Sequence, residues 1–486
     1  MTERKKRAVS FLPVYAVFLG MFFVFGPGVY NDSYKYIKMH IHREPLYPLF
    51  LALLRTLFPG EENWLTAMGI LQNLIAAFSV WAYAEYAGRR FKLSFLGKTA
   101  VLLLGFAPHV TTMFFSSLHL FMSNSVMSEA LCLPFFTLFM MECFKIVVET
   151  DRKAVRKAVW TSLVLALLLS LTRSQMMLTV LMWLVVAGAR ILFARGAVLE
   201  VGGESVQADC RKTAGIGAGG GNGSGIGFKK EKACWLAMAV MAVVCVFCLR
   251  TLAVKSYNLV FNGHFINNTY GTVNTLTNIL YAADREDGER IGDAEARDFF
   301  YRMYDLTEER QANYKYAGDS WKEKAEHIEE WHDTVKYEMI EDVFYRTYDK
   351  EVTSDYIIQN LMADETAGKI IKGILPACFA RWFGNYLLIA RYGLVRSIAV
   401  VHPVLNWAAA FLYLSAFLMM WLVYRKDRTN PAVPLMLVAL LAVAANVSAV
   451  SLTIMCLSRY MIYGFVPFYT GYFLLALSCY REYRKG

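Results

Sequence analysis

Charge is scarce in this chain. Lys, Arg, Asp and Glu make up 19% of its 486 residues, while hydrophobic residues make up 56%; an average soluble domain has roughly 25% and 45–50%. That balance marks a membrane protein with material for about ten spans, which excludes a single-anchor enzyme and a nucleic-acid binder. Small-residue cleavage signals are missing after the basic start MTERKKR and the apolar run Ala8 to Tyr30, so that run is expected to stay as a first membrane span. A nucleotide phosphate loop is missing too. The glycine tract GIGAGGGNGSGIG within residues 202–228 ends in no Gly-Lys-Ser/Thr and follows no strand, and reads as a flexible insert. Cysteine is nearly absent from the polar part of the chain. Cys132, Cys143, Cys234, Cys245, Cys248, Cys456 and Cys479 lie in or beside apolar runs, and the long acidic stretch has essentially only Cys378, which excludes a disulfide framework there. Cys245 and Cys248 form a C-x-x-C in mid-span, outside any thioredoxin-like setting, and read as packing residues.

What is present is a series of long apolar runs. They fall near 8–30, 64–87, 99–117, 128–148, 158–172, 175–194, 234–254, 402–424, 432–453 and 460–479. At roughly 20 residues per span, this predicts an all-α polytopic membrane protein of about ten transmembrane helices. The net charge of +10 divides unevenly: residues 255–380 hold 14 Lys and Arg against 24 Asp and Glu, a net −10, which leaves +20 for the rest. The clusters Arg89 to Lys98, Arg152 to Lys157, Arg195 to Lys232, Arg425 to Arg428 and Arg481 to Lys485 then share one side if the first span leaves the cytoplasm. Both termini are expected inside. The loop 30–63 and the acidic stretch 255–401 are expected outside.

Three parts follow. Residues 1–254 form an N-terminal membrane module of about seven spans, 255–401 a mostly helical extracytoplasmic domain, and 402–486 a C-terminal module of about three spans. In the middle part, Asp293 to Tyr304 and Trp321 to Tyr345 mix charges and aromatics at helical intervals, and Ile370 to Val401 is apolar enough for an added pair of short helices at the membrane.

Ionisable side chains at span ends call for an explanation, because each costs on the order of 2.5–3.5 kcal/mol at mid-bilayer. Asp32, in GVYNDSYKY, follows the first span directly. The next stretch, HIHREPLYPLFLALLRTLFPG, is too apolar for an exposed loop and too interrupted by Pro45, Pro48 and Pro59 for a span, so it should lie along the surface. An aspartate between a span end and a surface helix can be reached from lipid and from water.

These residues carry a resemblance. Asp32 with the downstream R-x-P-L-Y-P-L-F (Arg43 to Phe50), the S-E-x-L at Ser128 to Leu131, the L-T-R at Leu171 to Arg173 and the S-R-Y at Ser458 to Tyr460 followed by Pro467 are similar to glycosyltransferases of the GT-C superfold. The nearest branch contains the protein O-mannosyltransferases and the lipid A aminoarabinose transferases. The likeness runs over Ala8 to Ala197 and 402–479. It implies a GT-C-like fold and transfer of a sugar from a polyprenyl-phosphate donor to a hydroxyl on a glycan, lipid or protein acceptor. It also implies roles: Asp32 as the base, and Arg173 and Arg459, with Arg43, as cations for the lipid phosphate. The bland reading of each arginine is snorkelling to the interface. Glu129 either orients the acceptor or binds a cation, or else it caps the helix it begins. Tyr34, Tyr47 and Tyr460 either stack on sugar rings or serve as interfacial tyrosines. Many members carry a second acidic residue beside the first, whereas Asp32 is flanked by Asn31 and Ser33, so a divalent cation stays an open point. His40 and His42, with His109 and His119 as the other nearby imidazoles, are metal candidates against a plain surface role. Asn267 to Thr269 forms a glycosylation sequon.

The alternatives are a transporter or flippase of lipid-linked glycans, and an assembly protein that binds a partner through Trp321, Trp331 and Trp382. A transporter predicts internal repeats and mid-membrane charges; the sequence has no such repeat, and its ionisable residues gather at one face.

Overall fold

The computed structural model describes residues 3–115, 121–193, 224–399 and 406–484. Among them there is no β-strand, only an isolated bridge between Gly28 and Ser125. The protein is an all-α polytopic membrane protein. Its first half comprises α1 (Glu3–Phe25), α2 (Asn31–Ile37), α3 (Leu46–Leu57), α4 (Glu61–Arg90), α5 (Phe95–Phe115), α6 (Glu129–Val148), α7 (Arg152–Ser170), α8 (Leu178–Phe193) and α9 (Ser224–Asn262). The glycine-rich residues 202–223 lie outside the described residues, while 224–228, expected as the end of a flexible insert, already belong to α9.

Among the described residues, seven helical segments are long and apolar enough to cross a membrane: Glu61–Arg90, Glu129–Val148, Ser174–Leu192, Ala233–Asn262, Trp407–Lys426, Ala432–Thr453 and Ser458–Arg484. Helices also occupy the other three expected runs. Of these, the apolar part of α1 is the shorter Val9–Phe25, and α7 opens on Arg152, Lys153, Arg156 and Lys157. Chain chemistry explains the helix starts: Asp151, for example, caps α7 by accepting from the backbone N–H groups of Lys153 and Ala154. Apolar side chains also cover the outside of the bundle. Met241, Leu249 and Leu252 on α9, and Trp407, Phe411 and Leu414 beyond it, are more than half exposed. Such a surface is stable against lipid and not against water.

The polar domain is built on α10 (Gly271–Tyr281), α11 (Ala294–Glu309), α12 (Trp321–Thr334), a π-helix (Val335–Glu341), α13 (Asp342–Glu351) and the first half of α14 (Tyr356–Ile398). It has its own core, in which Leu276, Phe299, Phe300, Met339, Phe344 and Ile370 are buried together. The 43-residue α14 is about 65 Å long at 1.5 Å per residue. It carries Ala363, Ile370 and Cys378 into that core and Leu388, Ile389 and Ile398 into the core of the bundle. The expected pair of short helices in 370–401 is therefore corrected to one continuous helix through residue 398. Two of its glycines are close-approach points: a Cβ on Gly373 would stand 2.8 Å from Ile291, and one on Gly393 2.7 Å from the Cys456 sulfur. The chain ends with α15 (Asn406–Lys426), α16 (Ala432–Ser451), the short α17 (Ser458–Met461) and α18 (Phe465–Arg484).

Candidate active site

The loop after α1 is fixed from several sides before it presents any charge. Gly28 pairs with the segment before α6, donating to the Asn124 carbonyl at 3.0 Å and accepting from Val126 N–H at 2.8 Å. That segment is held in turn by two amides in the middle of α4. Gln72 donates to the carbonyls of Ser123 and Ser125 at 3.0 and 3.1 Å, and Asn73 pairs with the side chains of Asn124 and Ser123 at 2.9 and 2.8 Å. Both amides are fully buried in an otherwise apolar helix. Buried amides without partners would be costly, so this network sets one position for Ser128 and Glu129 at the start of α6.

Asp32 sits in the first turn of α2, where a carboxylate is favoured by the helix dipole. The turn is closed by Tyr30 N–H donating to the Ser33 hydroxyl at 2.9 Å. Two guanidiniums from distant parts of the chain meet the carboxylate. Arg43 Nη2 donates to Oδ1 at 2.9 Å, and Arg459 Nη1, 427 residues away in sequence, stands 3.4 Å from Oδ2. Arg43 is positioned by its loop: Leu46 N–H donates to the Leu171 carbonyl at 2.9 Å, and Glu44 forms a buried ion pair with Arg250 of α9 at 2.5 Å. Arg43 also lies over the Tyr36 ring, 4.5 Å from its centre, and donates to the Tyr36 hydroxyl at 3.2 Å. Its Nε is buried and has no hydrogen-bond partner among the described residues.

A second layer lies behind. Tyr36 hydrogen-bonds to Ser128 at 2.9 Å, and Glu129 is in an ion pair with Arg173, both buried. Two guanidiniums lie against the ring of Tyr460, with Arg173 5.1 Å and Arg459 4.7 Å from its centre. Its hydroxyl accepts from Arg459 at 2.6 Å and its carbonyl from Asn446 of α16 at 2.8 Å. Three arginines thus face two carboxylates, all of them largely withdrawn from water. Burial by itself would raise the Asp32 pKa, but Arg43, Arg459 and Lys35 outweigh it and hold the carboxyl below its ordinary value.

The site residues expected from sequence divide in two. Asp32, Arg43, Glu129, Arg173, Arg459 and Tyr460 come together, although Arg173 spends its charge on Glu129 and the Tyr460 ring already has two guanidiniums against it. Tyr47 does not face the site as a sugar platform. It is completely buried, donates to Gln72 at 2.9 Å and packs edge-on against Tyr36 at 5.2 Å. Tyr34 is on α2 and more than half exposed. Glu129 begins α6 as expected, with its carboxylate on Arg173.

The residues present do not fit a divalent cation. Among the described residues no three His, Cys, Asp or Glu side chains cluster to hold a metal. The rings of His40 and His42 are 5.1 Å apart, but burial pushes the His42 pKa down to about 2, with help from Arg43 and Lys35, whose charges would repel a metal ion as well. His109 is buried in α5 against Phe18, and His119 lies outside the described residues.

Sequence reasoning missed several residues that complete the site. Tyr36 has only its place between Asp32 and Arg43 to mark it. Gln72 and Asn73 do carry a signal, two amides in mid-span, where polar groups are expensive. From the polar domain, Lys336 is nearly buried, its ammonium 4.8 Å from the centre of the Tyr270 ring and 4.7 Å from that of Tyr337. It sits on the π-helix, a rare form that is frequent at functional sites. Compared with known proteins, the chain matches no family model, no curated protein and no solved structure. The chemistry of the site is therefore what bears on function.

Proposed function

We propose that the chain is an integral-membrane glycosyltransferase that moves a sugar from a polyprenyl phosphate to an acceptor hydroxyl on the extracytoplasmic side, with Asp32 as the base. The observation that carries this reading is a half-buried carboxylate held between Arg43 and Arg459 at one end of the helix bundle. Transfer needs a group to take the hydroxyl proton and cations to stabilise the leaving phosphate. Both requirements meet in this cluster.

The steps follow from the charges. The donor phosphate competes with Asp32 for Arg43 and Arg459, and the unspent Nε of Arg43 offers it a further donor. As the guanidiniums turn to the phosphate, Asp32 loses the charges that depress its pKa and becomes a stronger base. The acceptor oxygen then attacks the anomeric carbon, its proton passes to Asp32, and the bond between that carbon and the phosphate oxygen breaks. The electron pair leaves with the phosphate and is stabilised by the arginines. Glu129 and Arg173 keep the wall behind Tyr36 and Tyr460 in place. No strand-to-helix phosphate turn exists among the described residues, which favours a lipid-borne donor over a nucleotide sugar.

Native mass spectrometry of the purified protein tests the donor. Its expected result is an adduct with the mass of a polyprenyl phosphate or its glycoside, which a double Arg43→Ala, Arg459→Ala variant loses. An adduct retained at full occupancy in the double variant would place the lipid elsewhere and contradict the reading.

A further inference from the structure

The cluster around Asp32 holds more positive charge than its own carboxylates balance, and the polar domain brings a further ammonium close to it, with Asp333 beside it. We infer that Lys336 is a ligand-binding residue, brought by the π-helix to the Asp32 site as an additional cation for the anionic group bound there. This inference rests on the reading given under Proposed function and names a part of the site that the membrane helices do not supply.

Three observations support it. First, the ammonium is buried with no carboxylate in salt-bridge contact among the described residues; its neighbours are the faces of Tyr270 and Tyr337 and, at 3.4 Å, the Tyr337 hydroxyl. Aromatic faces hold a cation without neutralising it, whereas a buried charge is normally paired. Second, the same Tyr270 ring packs 5.7 Å from His42, the residue before Arg43, so Lys336 and the Asp32 loop share one side chain as a wall. The Tyr270 hydroxyl is tied to Glu341 at the end of the π-helix, and its backbone N–H to Asp364 at 2.5 Å, which fixes that wall. Third, the extra residue of a π-turn re-aims the side chains of a helix that would otherwise run straight from α12 into α13.

The groups acting on Lys336 are Asp333 from its own stretch, Asp32 and Lys35 from α2, Arg43 from the loop, and the rings of Tyr270 and Tyr337; behind Tyr270 stand Glu341, on its hydroxyl, and His42, against its ring. Burial, with Lys35 and Arg43, outweighs Asp333 and Asp32 and brings the lysine pKa down to about 8. Anion binding that uses the ammonium is therefore full below pH 8 and is lost as pH rises through it. Glu341, raised to about 7 by burial, titrates nearby, so the effect of Lys336 must be read as a difference between variants that all keep Glu341.

The experiment measures binding of a short-chain polyprenyl monophosphate and of inorganic phosphate to the full-length protein in lipid nanodiscs, at pH 7 and pH 9.5. Wild type, Lys336→Gln and Lys336→Arg are compared, with the matching neutral polyprenol as control. A charge-assisted hydrogen bond is worth about 1.5–3 kcal/mol, so Lys336→Gln is expected to bind the lipid phosphate roughly 10- to 100-fold more weakly at pH 7. Wild type should fall to the level of that variant at pH 9.5, while Lys336→Arg keeps its affinity. Preference for the lipid over inorganic phosphate supports a headgroup site; equal binding of both supports the same anion site with a free phosphate as ligand. Equal affinity of wild type and Lys336→Gln, or the same pH dependence in all three proteins, overturns the inference and leaves the Asp32 reading standing. A wild type that binds neither probe defeats both.

Discussion

Replacing Asp32 with asparagine is expected to lower sugar transfer by roughly 10²–10⁴-fold, the usual contribution of a general base, with little effect on expression. The amide keeps the shape of the carboxylate and its contacts to one side of Arg43, but it cannot accept a proton at useful strength. The loss should appear in kcat. Donor affinity should hold or rise, since Arg43 and Arg459 no longer give half their hydrogen bonds to an anion. Activity within about threefold of wild type would remove Asp32 from the mechanism, because an effect that small is far below what base catalysis contributes. Glu129 would not take its place easily, as its carboxylate is buried on Arg173.

The second large effect concerns that buried pair. Glu129→Ala leaves the guanidinium of Arg173 without its partner between α6 and the turn before α8, and Arg173→Ala leaves the carboxylate. Breaking a buried ion pair from one side costs about 3–5 kcal/mol, enough to halve or abolish the yield of folded protein. The paired change Glu129→Leu with Arg173→Met removes both charges and should recover most of the thermal stability. It should not recover activity, since the wall behind Tyr36 and Tyr460 would lose its charge. Melting curves by intrinsic fluorescence, read beside transfer rates, separate the two. If Arg173→Ala melts like wild type and only donor use falls, Arg173 is a phosphate ligand and not a structural cation.

Hydrophobic run length made most of the fold legible, because a helix that must face lipid is written as a long apolar segment. Among the described residues helices stand in all ten expected runs, and seven helical segments are long and apolar enough to cross a membrane. What was not legible is how α14 passes from the polar domain into the bundle. Glycine and proline mark breaks in a soluble loop, but in α14 Gly373 and Gly393 make room for Ile291 and Cys456, a distinction that depends on partners far away in sequence.

The candidate site shows the same division. Asp32, Arg43 and Arg459 were named from local motifs, and the fold joins them across 427 residues. Tyr47 was misread because a tyrosine in an apolar surface helix looks the same whether its hydroxyl meets a sugar or the buried Gln72. Lys336 lay among the mixed charges of an amphipathic stretch, where one lysine does not differ from its neighbours until burial and the π-turn single it out.

The most direct measurement is transfer by the purified full-length protein in liposomes, with a polyprenyl-phosphate sugar as donor against a matched nucleotide sugar, each followed by release of its leaving group. The account predicts turnover from the lipid donor alone, with free polyprenyl phosphate as product and loss of that product in Asp32→Asn. Turnover from the nucleotide sugar without added lipid would contradict it, as would release of polyprenyl phosphate at the wild-type rate by the asparagine variant.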